Sequence, residues 1–402
     1  MTLQWPKTNI GKLYAYQFCT GLHLITGVLV PFFTEYGGMS FAKTMMLQGW
    51  FFFWLLMLEI PTGIVADVQG RCFSLVVGSI AFLCGITAFV SIAHWSVFFL
   101  GMFLWALGLA FVSGADESLM YESMMQEGSQ VQKDRVMSRF VSFHFVGWTI
   151  GAPLASILTN WIALRDVVAC MFIPFGVALL IACTLREPPR KKVSYRRMGA
   201  VYRGTLSAAW NHICATRSLR LLGINQIVVG SMLFVAMWTH QRLMQTLFVP
   251  TAWFGLVQTG ILGFGSLIAF FALHRVLSSQ RDYLFLSACV PAISIGMFGF
   301  VASPPLVMFL AVYGIGIGFA RFGPIIHALH QFVPLSSQER ATTMSLLNMG
   351  RSAVSVVGMI GAGMIAQWSL AATFYLIGLV MAIAAVALAV LLKEKNLYVN
   401  PS

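Results

Sequence analysis

Residues 59–71 read EIPTGIVADVQGR and close an apolar run that begins near position 42. The stretch places a carboxylate (Glu59), a proline and a glycine (Gly63) inside that run, and then a second carboxylate (Asp67) and the pair Gly70–Arg71. A charged side chain in hydrocarbon costs at least ~2.5–3.5 kcal/mol on insertion scales, so an acid kept at such a depth is kept for a purpose.

The composition sets the surroundings of this stretch. Of 402 residues, 58% are apolar and 9% charged, against about 25% charged in soluble domains. Mean hydropathy is +0.82. This composition indicates an all-α polytopic membrane protein, because an outer-membrane barrel would show short alternating strands instead of apolar runs of ~20 residues. The opening MTLQWPKTNI lacks an apolar core and a small-residue cleavage site, so the first apolar run is expected to remain as a spanning helix. The seven cysteines show no metal-type spacing and read as small hydrophobes. No disulfide, metal centre or cofactor is expected. The net charge of +12 is scattered at loop ends, which suits topology signals and not a nucleic-acid surface.

Working outward from 59–71, twelve spans are expected near 11–34, 42–66, 72–93, 96–119, 138–161, 164–186, 218–241, 252–275, 282–302, 305–329, 339–366 and 369–392. An even count puts both termini on one side. Of 25 Lys and Arg, only Lys43, Arg165 and Arg242 fall on the far side, while Arg321 and Arg351 fall inside spans. The positive-inside rule then places both termini in the cytoplasm of a bacterial inner membrane. The longest connection, REPPRKKVSYRRMGAVYR (186–203), carries seven basic residues and one acid. It reads as a topology anchor on anionic headgroups or, alternatively, as a regulatory or partner-binding segment. The expected organisation is a six-helix bundle over 1–186, a basic cytoplasmic linker over 187–217 and a second six-helix bundle over 218–402. A faint repeat supports two pseudo-symmetric halves. GLAFVSGADESLMYES (108–123) and GIGFARFGPIIHALHQ (316–331) share Gly108/Gly316 and Phe111/Phe319 at the fourth and tenth spans.

The segment GIVADVQGR (63–71) closely resembles the signature loop of the major facilitator superfamily, G-x-x-x-D-x-x-G-R-[RK]. The twelve spans, the 6+6 split and the basic central loop agree with that family along the whole chain. EIPTG-x-x-AD (59–67), SGADES-x-x-YES (113–123) and ERATTMS (339–345) look like its bacterial drug- and metabolite-transporter branches. Cys72 departs from the second basic residue of the signature, and HRVLSSQRDYLF (274–285) lacks the D-x-x-G-R pattern in the second half. The resemblance implies alternating access, with the loop cluster latching the cytoplasmic side of the outward-facing state. It also implies a cavity lined by spans one, four, seven and ten.

The chemistry of these residues can be argued directly. Gly63 permits close helix approach, and Gly70 permits a tight turn. Asp67, at a helix end, can accept backbone or Arg bonds from a neighbouring helix. Arg71 can bond a carboxylate of the fourth span, where Asp116, Glu117 and Glu122 are the candidates. These groups form the gating motif or, more simply, staple a loop. Glu59 lies roughly 12 Å before Asp67 at 1.5 Å per residue. It belongs to the same latch, titrates a proton coupled to transport, or is a passive buried acid. Pro61 frees a carbonyl near position 57 and favours a kink. Asp116 and Glu117 point about 100° apart on a helix, so they face different neighbours or form a solvated rim. Glu59, Asp116 and Glu117 are the proton-coupling candidates. Arg321 and Arg351 either pair with acids of the other half or meet an anionic substrate. With them, His23, His144 and His327 are substrate-binding candidates, against the reading of each histidine as a hydrogen-bonded packing residue.

The drug-exporter patterns of the family are incomplete. LWALGLAFVSGA (104–115) has Trp105 and no arginine, and GWTIGAPLAS (147–156) keeps only the Gly147/Gly151 spacing around a shifted Pro153. No G-x-x-x-x-G-K-[ST] loop is present, which argues against ATP hydrolysis by the chain. The expected function is a monomeric secondary transporter of a small organic solute, using protons as coupling ion. Export of an amphipathic metabolite or drug competes with import of an anionic solute such as a siderophore or organic acid. A membrane-embedded enzyme is a remote alternative, since HExxH and GxSxG are missing and the histidines are dispersed. A transporter-like sensor is another.

Overall fold

The computed structural model describes residues 9–126, 133–189, 217–275, 280–321 and 337–393, with isolated positions between 204 and 214. The described residues are mostly helical and include no strand. An apolar chain that must satisfy every backbone N–H and C=O within its own segment in hydrocarbon has this outcome available.

The helices run in chain order as α1 (Asn9–Gly21), α2 (Leu29–Tyr36), α3 (Phe41–Gln69), α4 (Arg71–Ser91), α5 (Trp95–Val112) and α6 (Ala115–Gln126). Then follow α7 (Lys133–Leu158), α8 (Leu164–Ala169), α9 (Phe172–Thr184) and α10 (Arg217–Thr246). The chain ends with α11 (Phe254–Arg275), α12 (Gln280–Met297), α13 (Pro304–Ala320), α14 (Ser337–Trp368) and α15 (Leu370–Lys393). Nine of the described segments are long and apolar enough to cross a membrane. A tenth is the bent pair Asn9–Gly27 and Leu29–Tyr36, and two shorter apolar helices cover Phe285–Met297 and Pro304–Ala320.

The chain divides into two compact units. The first contains Met1–Met39, Trp50–Tyr202 and Thr251–Leu256, and the second Ser40–Gly49, Arg203–Pro250 and Val257–Ser402. The start of α3 thus belongs to the second unit and the start of α11 to the first.

Within the first unit, α1 gives way to a 63° bend before α2. Its helical ladder lapses after Gly21, where the His23 N–H bonds Gly21 O at 2.7 Å and the Leu24 N–H bonds Leu22 O at 3.1 Å. A 3-10 turn over Leu24–Gly27 follows. Pro31 lies just beyond it and has no N–H to offer the preceding turn, which favours a break there. By contrast, α3 remains a single helical segment across Pro61.

Glycine seams bring the helices together. A Cβ at Gly21 would lie 2.3 Å from His144 O, one at Gly147 2.4 Å from Phe18 O, and one at Gly27 2.2 Å from Ala152 O. Along α4 and α5, a Cβ at Gly78 would lie 2.9 Å from Gly108 O, and one at Gly85 3.2 Å from Gly101 O. The second unit uses the same device. A Cβ at Gly265 would lie 2.6 Å from Gly316 O, and one at Gly378 2.7 Å from Ala292 O. In a bilayer, association rests on such close van der Waals packing because lipid tails are as apolar as the helices.

Gly147→Val is therefore expected to force α1 from α7 and to destabilise the protein by about 1–3 kcal/mol. Gly263→Ala, where a Cβ meets nothing within 4 Å, is expected to cause no loss. Thermal denaturation of the purified protein in detergent checks both.

Candidate functional site

The signature turn lies in the first unit. Gly70 has φ 129° and ψ 151°, a conformation that L side chains avoid, and it lets α3 end and α4 begin within one residue. Arg71 opens α4. Its guanidinium forms an ion pair with Glu122 of α6 and also donates to Ser118 O at 3.3 Å. Of the three acids open to Arg71 on sequence grounds, Glu122 is the one that the structure pairs with it. Both side chains are half-buried, with 20% and 32% exposure, which leaves the pair less screened than a surface one. Asp67 occupies the last turn of α3 and Glu59 lies two turns earlier; each is partly exposed. Gly63 lies between them, beside Thr62, whose hydroxyl donates to Ala110 O of α5 at 2.9 Å.

Asp116 and Glu117 diverge as helical geometry requires. Glu117 is exposed, whereas Asp116 is 8% exposed in the first turn of α6. The α6 start follows Gly114, which has φ 78°. One Asp116 oxygen accepts the Glu117 N–H at 2.7 Å, and the other accepts Nε2 of Gln17 from α1 at 2.5 Å. At the preceding residue of α1, the Tyr16 hydroxyl lies 3.1 Å from Ser79 Oγ of α4. Both partners of the Asp116 carboxylate are neutral donors.

His23 sits at the break after α1. Its ring lies 5.0 Å from Trp105, 5.6 Å from Phe175 and 6.2 Å from His144, centroid to centroid. Trp105 in turn lies 4.8 Å from Phe82. His23 is thus one ring of an aromatic cluster that joins the break after α1 to α4, α5, α7 and α9.

In the second unit, Arg321 follows directly on α13, is fully buried, and donates to Asn225 Oδ1 of α10. Asn225 then donates to Ala384 O of α15 at 2.9 Å. The Arg351 guanidinium of α14 lies over the Phe234 ring at 5.2 Å, and its carbonyl accepts the Ser231 hydroxyl at 2.9 Å. A cation over an aromatic face is attracted by the ring quadrupole. His327 lies outside the described residues. Among the described residues, no three His, Cys, Asp or Glu side chains converge as a metal site.

Three polar partners escaped the reading of the sequence: Gln17, Asn225 and Glu187, which bonds the start of α4. Gln17 and Asn225 are isolated amides within apolar runs, and Glu187 is the one acid of the basic stretch 186–203. Those positions carried the available signal.

Residues 15–337 match the sequence profile of the Major Facilitator Superfamily. No curated protein matches the chain in sequence. Among solved structures, the chain resembles a POT family transporter in complex with a thioalcohol-conjugated peptide, with a TM-score of 0.75 at 13% identity over 96% of each chain. It resembles a POT family transporter in complex with 5-aminolevulinic acid, with a TM-score of 0.74 at 13% identity over 96% of each chain. It also resembles the nucleoside transporter NupG, with a TM-score of 0.68 at 16% identity over 97% of this chain and 98% of that one.

Arg71→Gln and Glu122→Gln are each expected to lower thermal stability. Together they should cost less than the sum, with a coupling on the order of 1 kcal/mol, as a charge-assisted bond in a half-buried setting supplies. A double-mutant cycle on thermal denaturation reads that coupling.

Proposed function

Because the chain belongs to the Major Facilitator Superfamily, we propose that it is a secondary active transporter of a small organic solute, driven by protons through rocker-switch alternating access. The polytopic helical fold and its likeness to a POT family transporter in complex with a conjugated peptide and to a nucleoside transporter support the transport class. The proposal takes all twelve apolar stretches as spans, six on each side of the basic linker 187–217, with both termini in the cytoplasm of a bacterial inner membrane. It takes the working unit as a monomer.

The observation that carries the proton coupling is Asp116, a buried carboxylate whose partners are an amide and a backbone N–H. A group so placed exchanges a proton without losing a counter-ion. Its bond to Gln17 also links that exchange to α1. Glu59, inside α3, and the exposed Glu117 are secondary candidates for the same role. In this reading the Arg71–Glu122 pair, together with Gly63, Asp67 and Gly70, forms the gating latch.

A second reading concerns the solute. Arg321 and Arg351 place two cations among the helices of the second unit, one fully buried and held by a neutral amide, the other over an aromatic ring. Buried arginine is costly and commonly marks a substrate path. This favours an anionic solute, and hence import of an organic acid or siderophore, over export of an amphipathic drug. His23 and His144 are assigned to the lining around the α1 break.

Flux of a panel of radiolabelled solutes into proteoliposomes, with and without a pH gradient, tests the function. Asp116→Asn is expected to abolish gradient-driven accumulation while preserving solute exchange at equal pH. Undiminished accumulation by that variant overturns the coupling site. Arg351→Gln is expected to weaken the affinity for an anionic solute by about tenfold, the equivalent of ~1.4 kcal/mol. An unchanged affinity removes the anionic reading.

A further inference from the structure

The start of α4 is held by a residue far away in sequence. The Arg71 N–H donates to one oxygen of the Glu187 carboxylate at 3.0 Å, and the Cys72 N–H donates to the other at 2.8 Å. The first N–H groups of any helix lack an intrahelical partner, and a negative charge there is favoured by the helix dipole. The residue before α4 is Gly70, which has no side chain to serve as the usual cap. Glu187 supplies from the end of α9 what the local sequence cannot.

The segment carrying Glu187 is itself tied down. Asn9 of α1 clamps the Arg186 backbone at both ends, with Nδ2 donating to Arg186 O at 2.8 Å and the Arg186 N–H donating to Asn9 Oδ1 at 3.1 Å. The same Asn9 amide donates to Ser123 Oγ of α6 at 3.1 Å, and Lys12 Nζ donates to Thr184 O at 2.8 Å. Leu185 and Pro188 turn inward and are buried, while Arg186 and Glu187 lie on the exposed side. The backbone leaves α9 extended, with Leu185 at φ −67° and ψ 149°.

We infer that Thr184–Pro189 is a strap and that Glu187 is a positioning residue of the signature turn. By capping α4 with both oxygens it fixes the first turn from which Arg71 reaches Glu122. It also fixes the point at which the chain leaves α9. A displacement of the strap is then delivered to α4, and so to the Arg71–Glu122 pair. Glu187 thus joins the motif through space, 116 residues from Arg71. The consequence for transport rests on the latch reading given above; the strap itself does not.

Hydrogen–deuterium exchange of the full chain in nanodiscs tests the inference. The first-turn amides of α4 are expected to exchange at least about tenfold faster in Glu187→Gln, with Glu187→Asp restoring at least half of the protection on a logarithmic scale. Asn9→Ala, which loosens the other end of the strap, should move the same amides in the same direction. Exchange within twofold of the wild type in both Glu187→Gln and Asn9→Ala overturns the strap. Glu122→Gln is also expected to speed these amides, and the double variant with Glu187→Gln to give less than the product of the two factors. Factors that simply multiply would show that Glu187 does not position Arg71, and would overturn that role. If the amides loosen while turnover is unchanged, the strap stands and the latch role of Arg71 falls. If they do not loosen, the strap falls and the latch is untouched.

Discussion

The carboxylate of Asp116 is buried at the start of α6 and accepts from Gln17 of α1, while Glu122 of the same helix takes Arg71 from α4. One short helix therefore receives a polar arm from each of two neighbours. A buried polar group without a partner costs more than the bond it would make is worth. The three helices are consequently held in register at this end by the need to satisfy a few side chains.

These side chains reach one another because the helices come close, and the helices come close because small residues line their seams. Gly21 and Gly147 let α1 lie backbone against backbone on α7, which fixes α1 and so fixes the approach of Gln17 to α6. Gly78 and Gly108 do the same for α4 and α5. A methyl group at any of these positions would separate two helices by a fraction of an ångström or more. The Gln17–Asp116 hydrogen bond does not survive that without rearrangement. Packing and polar satisfaction are thus one constraint within the first unit.

The apolar stretches were legible because hydrocarbon dictates length and polarity directly, and the described helices fall where those stretches lie. The GIVADVQGR turn was legible as well, since Gly70 announces a backbone conformation that few residues adopt. The choice among Asp116, Glu117 and Glu122 as the partner of Arg71 was not. All three lie within seven residues, and which of them faces α4 depends on the rotation of α6, which Gly114 and the Asp116–Gln17 bond set from outside the helix. The neutral amides Gln17 and Asn225 carried little signal, because an isolated amide in an apolar run is also a common packing residue. Glu187 was hidden for a different reason: its role is to cap a helix 116 residues away, and capping signals are sought next to the helix they serve.

The account depends most on the claim that Asp116 exchanges a proton as solute is carried. Titration of the purified protein with its solute in weakly buffered solution, followed by a pH-sensitive dye or by calorimetry in buffers of different ionisation enthalpy, measures that exchange directly. The account predicts about one proton exchanged per solute bound by the wild type and none by Asp116→Asn, with solute binding retained in both. Equal proton exchange by the two proteins would contradict it.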